Sequence, residues 1–122
     1  MRDLIQGHVV MRTFVQISSL QEGPASMAPH TFIQEVNNSG AGSAIVPLRA
    51  LPHHGWPDAN AYIQEFVIAG WKINGVAILN SQNFKLTVPL PANSVFRYPP
   101  GINPLYYANQ LASQVRKDFG WL

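Results

Sequence analysis

The chain is 122 residues long, and 47% of its residues are hydrophobic while only 11% are charged. A length of this order suits one domain with its own core, here residues 1–122. The formal net charge is +2 and the basic residues are scattered along the chain. Specific nucleic-acid recognition is therefore not expected, because it needs basic side chains clustered along a phosphate backbone. The absence of cysteine excludes disulfides, thiol catalysis and cysteine-ligated metal centres.

The low charge predicts that other subunits or a partner cover part of the surface, since soluble monomers usually carry about 25% charged residues. The first twenty residues contain no uninterrupted apolar core of a signal peptide, so we expect synthesis in the cytoplasm without a cleaved leader. No apolar run reaches about 18 residues, so no transmembrane helix is predicted.

The N-terminal third is predicted to contain an extended arm and a first strand. Residues 1–7 are interpreted as a tail or arm. Residues 8–17 (HVVMRTFVQI) alternate partially and are rich in β-branched side chains, which favours a strand, with a helix as the alternative. The glycine and prolines in residues 21–29 indicate a loop.

Further short strands are predicted along the middle of the chain. Residues 31–36 (TFIQEV) indicate a strand that ends at a turn in residues 37–40. Residues 43–51 indicate a short edge strand, because Pro47 cannot donate to a central ladder. Residues 61–68 (AYIQEFVI) show another apolar strand pattern.

Residues 71–98 carry the signature of a β-meander. Asn74-Gly75 suits a tight hairpin turn, and residues 84–88 (FKLTV) alternate apolar and polar side chains. The apolar positions assigned to this sheet are Val76, Ile78, Phe84, Leu86, Val88, Val95 and Tyr98.

A C-terminal helix is predicted over residues 104–119. Asn103 can cap it with Pro104 at its first position, and Gly120 is suited to end it. The predicted fold class is therefore mainly β: a small antiparallel sandwich or jelly-roll-like barrel with one C-terminal α-helix.

A segment spanning residues 80–107 resembles one found in bacteriophage virion proteins. It has the turn Asn80-Ser81-Gln82-Asn83, the apolar strand Leu86-Thr87-Val88, the turn Pro99-Pro100-Gly101 and the aromatic pair Tyr106-Tyr107. This order is similar to penton and minor capsid proteins of tailless, membrane-containing phages and to some tail-associated proteins. The resemblance implies a virion structural protein with a β-sandwich core.

Catalytic and metal sites receive little support from the spacing of side chains. His53, His54 and Asp58 share one loop, but adjacent side chains on extended backbone point in opposite directions, which disfavours both histidines binding one ion. Glu35 and Glu65 are carboxylates of the type that glycosidases pair, but both are expected on the solvent face of a sheet. We predict no catalytic residue, no metal and no cofactor.

Aromatic side chains are more numerous than a minimal core needs. They are interpreted as core, as anchors at a subunit interface or as a ligand platform. The candidate interface or platform residues, with the two loop histidines, are Trp56, Trp71, Tyr62, Tyr106, Tyr107, His53 and His54.

The leading hypothesis is a non-enzymatic structural protein, a viral capsid or minor virion component, that forms a symmetric homo-oligomer or binds other virion proteins. One alternative is a carbohydrate- or peptide-binding β-module that uses its surface aromatics. The second alternative is a small α+β barrel enzyme with an apolar cavity.

Overall fold

The computed structural model describes residues 2–6, 9–16, 18–79, 84–98 and 104–120. These residues belong to two compact units, the first built mainly from Val10–Lys72 and the second mainly from Ile73–Leu122. The elements in chain order are β1 (Arg2–Gln6), β2 (Val9–Val15), α1 (Pro29–Ser39), β3 (Ser43–Ile45), α2 (Ala59–Ile68), β4 (Val76–Leu79), a 3-10 helix (Ala92–Ser94), β5 (Val95–Tyr98) and α3 (Pro104–Asp118).

The prediction of a mainly β antiparallel sandwich or jelly-roll-like barrel is wrong, because the chain is a mixed α/β protein. One sheet has the strand order β1-β2-β3, and the other consists of β4 and β5. β2 pairs in parallel with β3, with Thr13 opposite Ser43, and β4 pairs in parallel with β5, with Val76 opposite Val95. Parallel strands need a crossover connection, which α1 supplies between β2 and β3.

The strand predicted at residues 31–36 is wrong, because these residues form the middle of α1. Pro29 lies in the first turn, where its missing N–H costs nothing. Phe32 and Val36 are buried at helical spacing, so the apolar residues follow a period of 3.6 rather than 2. Gly40 ends the helix at a φ of 75°, so the turn predicted at residues 37–40 is the last helical turn and its cap.

The strand pattern assigned to residues 61–68 is also wrong, because α2 occupies this segment. The Asp58 side chain caps the helix by accepting a hydrogen bond from the Ala61 N–H at 3.0 Å. The buried residues recur at the spacing of one helix face: Ala59, Tyr62, Ile63 and Phe66.

The core of the first unit is an aromatic cluster formed by side chains of β2, α1, α2 and the segment that follows α2. The Phe32 ring lies 5.6 Å from that of Phe14, 6.0 Å from Phe66 and 6.1 Å from Trp71. Phe66 stacks on Trp71 with ring centroids 5.0 Å apart. Each such pair contributes about 0.5–1.5 kcal/mol beyond the burial of its area. These ring contacts hold α2 in place, so the first turn of α2 lies next to the loop that precedes the helix.

The second unit contains the two strands predicted around residues 76–78 and 95–98, and both are confirmed. The hairpin turn predicted at residues 74–75 is wrong, since β4 pairs in parallel with β5. Residues 84–88 form no strand. Their burial still alternates as expected, with Lys85 and Thr87 exposed and Val88 buried.

The remaining elements lie close to their predicted positions. β2 confirms the first strand within residues 8–17, and β1 falls inside the segment predicted as an arm. Only the beginning of the strand predicted at residues 43–51 is extended, as β3. α3 forms where the C-terminal helix is predicted, and Gly120 follows it at a φ of 71°. The predicted cap at Asn103 lies outside the described residues, and the assignment of one domain stays a prediction.

Candidate functional site

A tight turn at His54-Gly55 is the most unusual backbone feature in the described part of the chain. The His53 N–H donates to the Trp56 carbonyl at 3.1 Å, and the Trp56 N–H donates to the His53 carbonyl at 2.9 Å. Both central residues are left-handed, with φ of 49° at His54 and 81° at Gly55. This pair of positive φ values is typical of the tightest hairpin turns, in which asparagine and glycine are the usual residues. His54 is the only non-glycine residue with positive φ among those the structure describes.

The turn brings the two imidazoles together. The ring centroids of His53 and His54 lie 4.0 Å apart, with an angle of 65° between the ring planes. The expectation of opposite directions is wrong, because it assumed extended backbone and His54 is left-handed. His54 is exposed and His53 is half-buried. We call this pair the histidine turn.

The surroundings of His53 favour its neutral form. Partial burial lowers the pKa of His53, and the positive charge of Arg49 and the neighbouring His54 lower this pKa further. Arg49 itself forms an ion pair with Glu22 that is partly open to solvent. The His53 imidazole is therefore neutral at neutral pH, which is the form that binds metal ions.

A buried glutamine anchors the loop that carries the histidine turn. Gln21 is fully buried, and its amide nitrogen donates to the Arg49 carbonyl at 3.0 Å and to the Pro57 carbonyl at 3.1 Å. Its amide oxygen accepts from the Arg49 N–H at 2.9 Å and from the Ser19 hydroxyl at 2.9 Å. One side chain thus uses its full hydrogen-bonding capacity and ties down both ends of residues 49–57.

Local sequence patterns give no signal for this role. The backbone partners of the Gln21 side chain, in Arg49 and Pro57, lie 28 and 36 residues away along the chain. A glutamine in a turn-rich segment is ordinarily solvent-exposed, so its burial becomes evident only when the distant backbone groups are in place.

An open groove of about 260 Å³ lies next to this loop. It is lined by Pro29, His30, Pro57, Ala61 and Glu65. His30 and Glu65 are both exposed, so the groove combines an imidazole and a carboxylate at a wet surface. The sequence pattern did not single out His30 as a groove residue, because its position depends on the packing of α1.

The predicted acidic residues are not brought together. Glu35 is exposed on α1 and does not line the groove that contains Glu65. The Asp58 carboxylate is engaged in capping α2. In the part of the chain that the structure describes, no three His, Asp or Glu side chains are grouped so as to hold a metal ion.

The predicted aromatic platform is divided between different environments. Tyr62 is fully buried, and its hydroxyl donates to the Met27 carbonyl at 2.8 Å. Trp71 is half-buried against Phe66, and Trp56 is half-buried at the end of the histidine turn. Tyr62 is therefore a core residue and cannot face a ligand beside the two tryptophans. Tyr106 and Tyr107 belong to α3, and their side chains lie outside what the structure describes.

Comparison with known proteins gives no family and no relative. No family model matches the chain, and no curated protein and no solved structure is similar to it. None of the helices within the described ranges is both long and apolar enough to cross a membrane.

Proposed function

We propose that this chain is a non-enzymatic structural protein that assembles with copies of itself into a symmetric oligomer. The observation that carries the proposal is the exposure of large apolar side chains on a chain with only 11% charged residues. Leu51 is 74% exposed, Ile68 68%, Leu79 48% and Val67 38%. Val67 and Ile68 are adjacent, and contiguous apolar surface is typical of regions that another protein covers.

The end of α2 is the part of this surface that best suits an interface. Val67 and Ile68 are followed by Ala69 and Gly70, and all four residues are exposed. The last turn of the helix carries no basic residue, and its one charged side chain is the exposed Glu65. Interface centres are depleted in charged side chains, and a two-fold axis would set this apolar end against the same end of a second copy.

The second unit supports assembly in a different way. The described strands pair β4 only with β5, so each of these strands has an outer edge that no other described strand covers. A sheet of two strands is marginally stable alone, and open edges offer backbone groups to another chain. Strand addition from a second copy would satisfy these groups.

A virion component is the specific form of this proposal. It rests on the resemblance of residues 80–107 to phage structural proteins, of which residues 80–83 and 99–103 lie outside the described ranges. The β-sandwich core that the resemblance implies is not retained, because the chain is mixed α/β. Self-assembly does not depend on that core.

Light scattering on a matched pair of variants tests the proposal. Ile68→Lys places a charge in the proposed interface, whereas Gln34→Lys places the same charge at an exposed position on a different helix, α1. We expect Ile68→Lys to weaken association by about 2 kcal/mol or more, as for a central interface residue. Gln34→Lys should leave the oligomer unchanged. Equal masses for wild type and both variants would contradict an interface at the end of α2.

A further inference from the structure

We propose that the histidine turn, His53 and His54, is a binding site for a divalent transition-metal ion of the zinc type. Imidazole nitrogen is a preferred ligand of Zn²⁺, Cu²⁺ and Ni²⁺. The two imidazoles are neighbours because a left-handed residue places both rings at one turn, with centroids 4.0 Å apart. This site is independent of the proposed oligomer, since one chain supplies both ligands.

The separation of the rings suits coordination of a single ion. A zinc–nitrogen bond is about 2.0–2.1 Å long, so two nitrogens on one ion are at most about 4.2 Å apart. The ring centres are 4.0 Å apart, so binding of one ion requires the rings to rotate about their side-chain bonds until one nitrogen of each lies within that span.

The turn is held in place before any ion binds. Two backbone hydrogen bonds between His53 and Trp56 close it, at 2.9 and 3.1 Å. Three side-chain hydrogen bonds of Gln21, to the backbone of Arg49 and Pro57, fix the loop on both sides of the turn. A site that is already ordered loses less conformational entropy on binding, which raises its affinity.

The positive charge near the histidine turn opposes cation binding, and an ion pair neutralises part of it. Arg49 is the basic side chain whose charge acts on His53, and the carboxylate of Glu22 pairs with it. Water completes the coordination, since the described residues supply no third His, Asp or Glu ligand.

Titration calorimetry with Zn²⁺ alone at pH 7.5 tests the site. The variants are His53→Gln and His54→Asn, separately and together, and asparagine is chosen at position 54 because it tolerates a left-handed backbone. We expect one Zn²⁺ per wild-type chain. Each single change should weaken Zn²⁺ binding by at least about tenfold. That is the smallest loss of metal affinity usually seen when a residue that only hydrogen-bonds to a metal ligand is removed. The double variant should show no binding.

Two further variants separate ligation from other effects. His30→Asn removes the exposed histidine of the groove and should bind Zn²⁺ like wild type. Gly55→Val keeps both histidines but is strained at a φ of 81°, in open space, so it should weaken binding by disturbing the turn. Circular dichroism checks that each variant is folded. Undiminished binding by the double variant, or loss of binding in His30→Asn alone, would overturn the proposal.

Discussion

Replacing Gln21 by leucine should destabilise the first unit more than a substitution at a turn position usually does. Gln21 is fully buried, and its amide makes four hydrogen bonds, three of them to the backbone of Arg49 and Pro57. Leucine has a similar volume but no polar atom. The substitution therefore removes the hydrogen bonds without opening a large cavity.

The loss of stability depends on whether water can reach the backbone groups that Gln21 no longer hydrogen-bonds. A hydrogen bond contributes about 1 kcal/mol net, and a buried partner left unsatisfied costs about 1–3 kcal/mol. Arg49 and Pro57 are exposed residues, so water can replace part of what their backbone groups lose. We expect a loss of about 2–4 kcal/mol in the free energy of unfolding, from a total that is typically about 5–15 kcal/mol.

Urea denaturation followed by tryptophan fluorescence measures this loss, because Trp56 and Trp71 both belong to the first unit. With a slope of about 2 kcal/mol per molar urea, the midpoint should fall by about 1–2 M. Gln34→Leu is the matched control, since Gln34 is exposed on α1. It should shift stability by no more than about 0.5 kcal/mol. A Gln21→Leu variant within that same margin would refute the anchoring role of Gln21.

Three other predictions concern single side chains. Burial, and after it the hydrogen bond to Asp118, raises the pKa of Tyr98 in the folded chain. The Tyr98 hydroxyl of the unfolded chain therefore loses its proton at a lower pH than that of the folded chain, and the free energy of unfolding should fall as pH rises above about 10. Tyr98→Phe should reduce that slope in an alkaline thermal melt. Gly75→Ala should cost about 1 kcal/mol by overpacking, because a Cβ there would lie 3.0 Å from Cζ of Phe119. The pKa of His53 is lowered in the folded chain, so on acidification the unfolded chain binds this proton at a higher pH than the folded chain does. The free energy of unfolding should therefore fall as pH falls below 6.5. His53→Gln should reduce this loss of stability at acidic pH.

Two of these predictions have an internal comparison within the chain. Gly42→Ala should be neutral, because its new Cβ would meet only the Arg12 carbonyl oxygen at 4.0 Å. Tyr62 also has a pKa raised by burial, so Tyr98→Phe should leave a residual alkaline slope. Equal costs for the Gly75 and Gly42 changes, or an unchanged pH profile in the tyrosine and histidine variants, would contradict the contacts described above.

Elements with an unambiguous local pattern could be predicted from the sequence, and elements with mixed signals could not. α3 has a proline at its start, basic residues in its last turn and a glycine after it. α1 has an equivalent start at Pro29 and stop at Gly40. Its β-branched residues favoured a strand, but burial of Phe32 and Val36 on one helix face outweighed that propensity.

Other features depend on long-range packing that no local pattern contains. The parallel pairing of β4 with β5 brings together strands that a hairpin signal at residues 74–75 suggested were antiparallel neighbours. The loop around His54 could be predicted from its prolines and glycine, but the left-handed φ of His54 could not. The burial of Gln21 depends on backbone groups that are distant in sequence. The histidine turn became a candidate site only through these contacts.

Sedimentation equilibrium of the wild-type chain tests self-assembly most directly. Measurements from about 1 to 100 µM cover dissociation constants in the micromolar range. We predict a mass that is a whole multiple of 13.5 kDa, or that rises towards one with concentration. A mass of 13.5 kDa over the whole range, unchanged by salt, would contradict the assembly proposal.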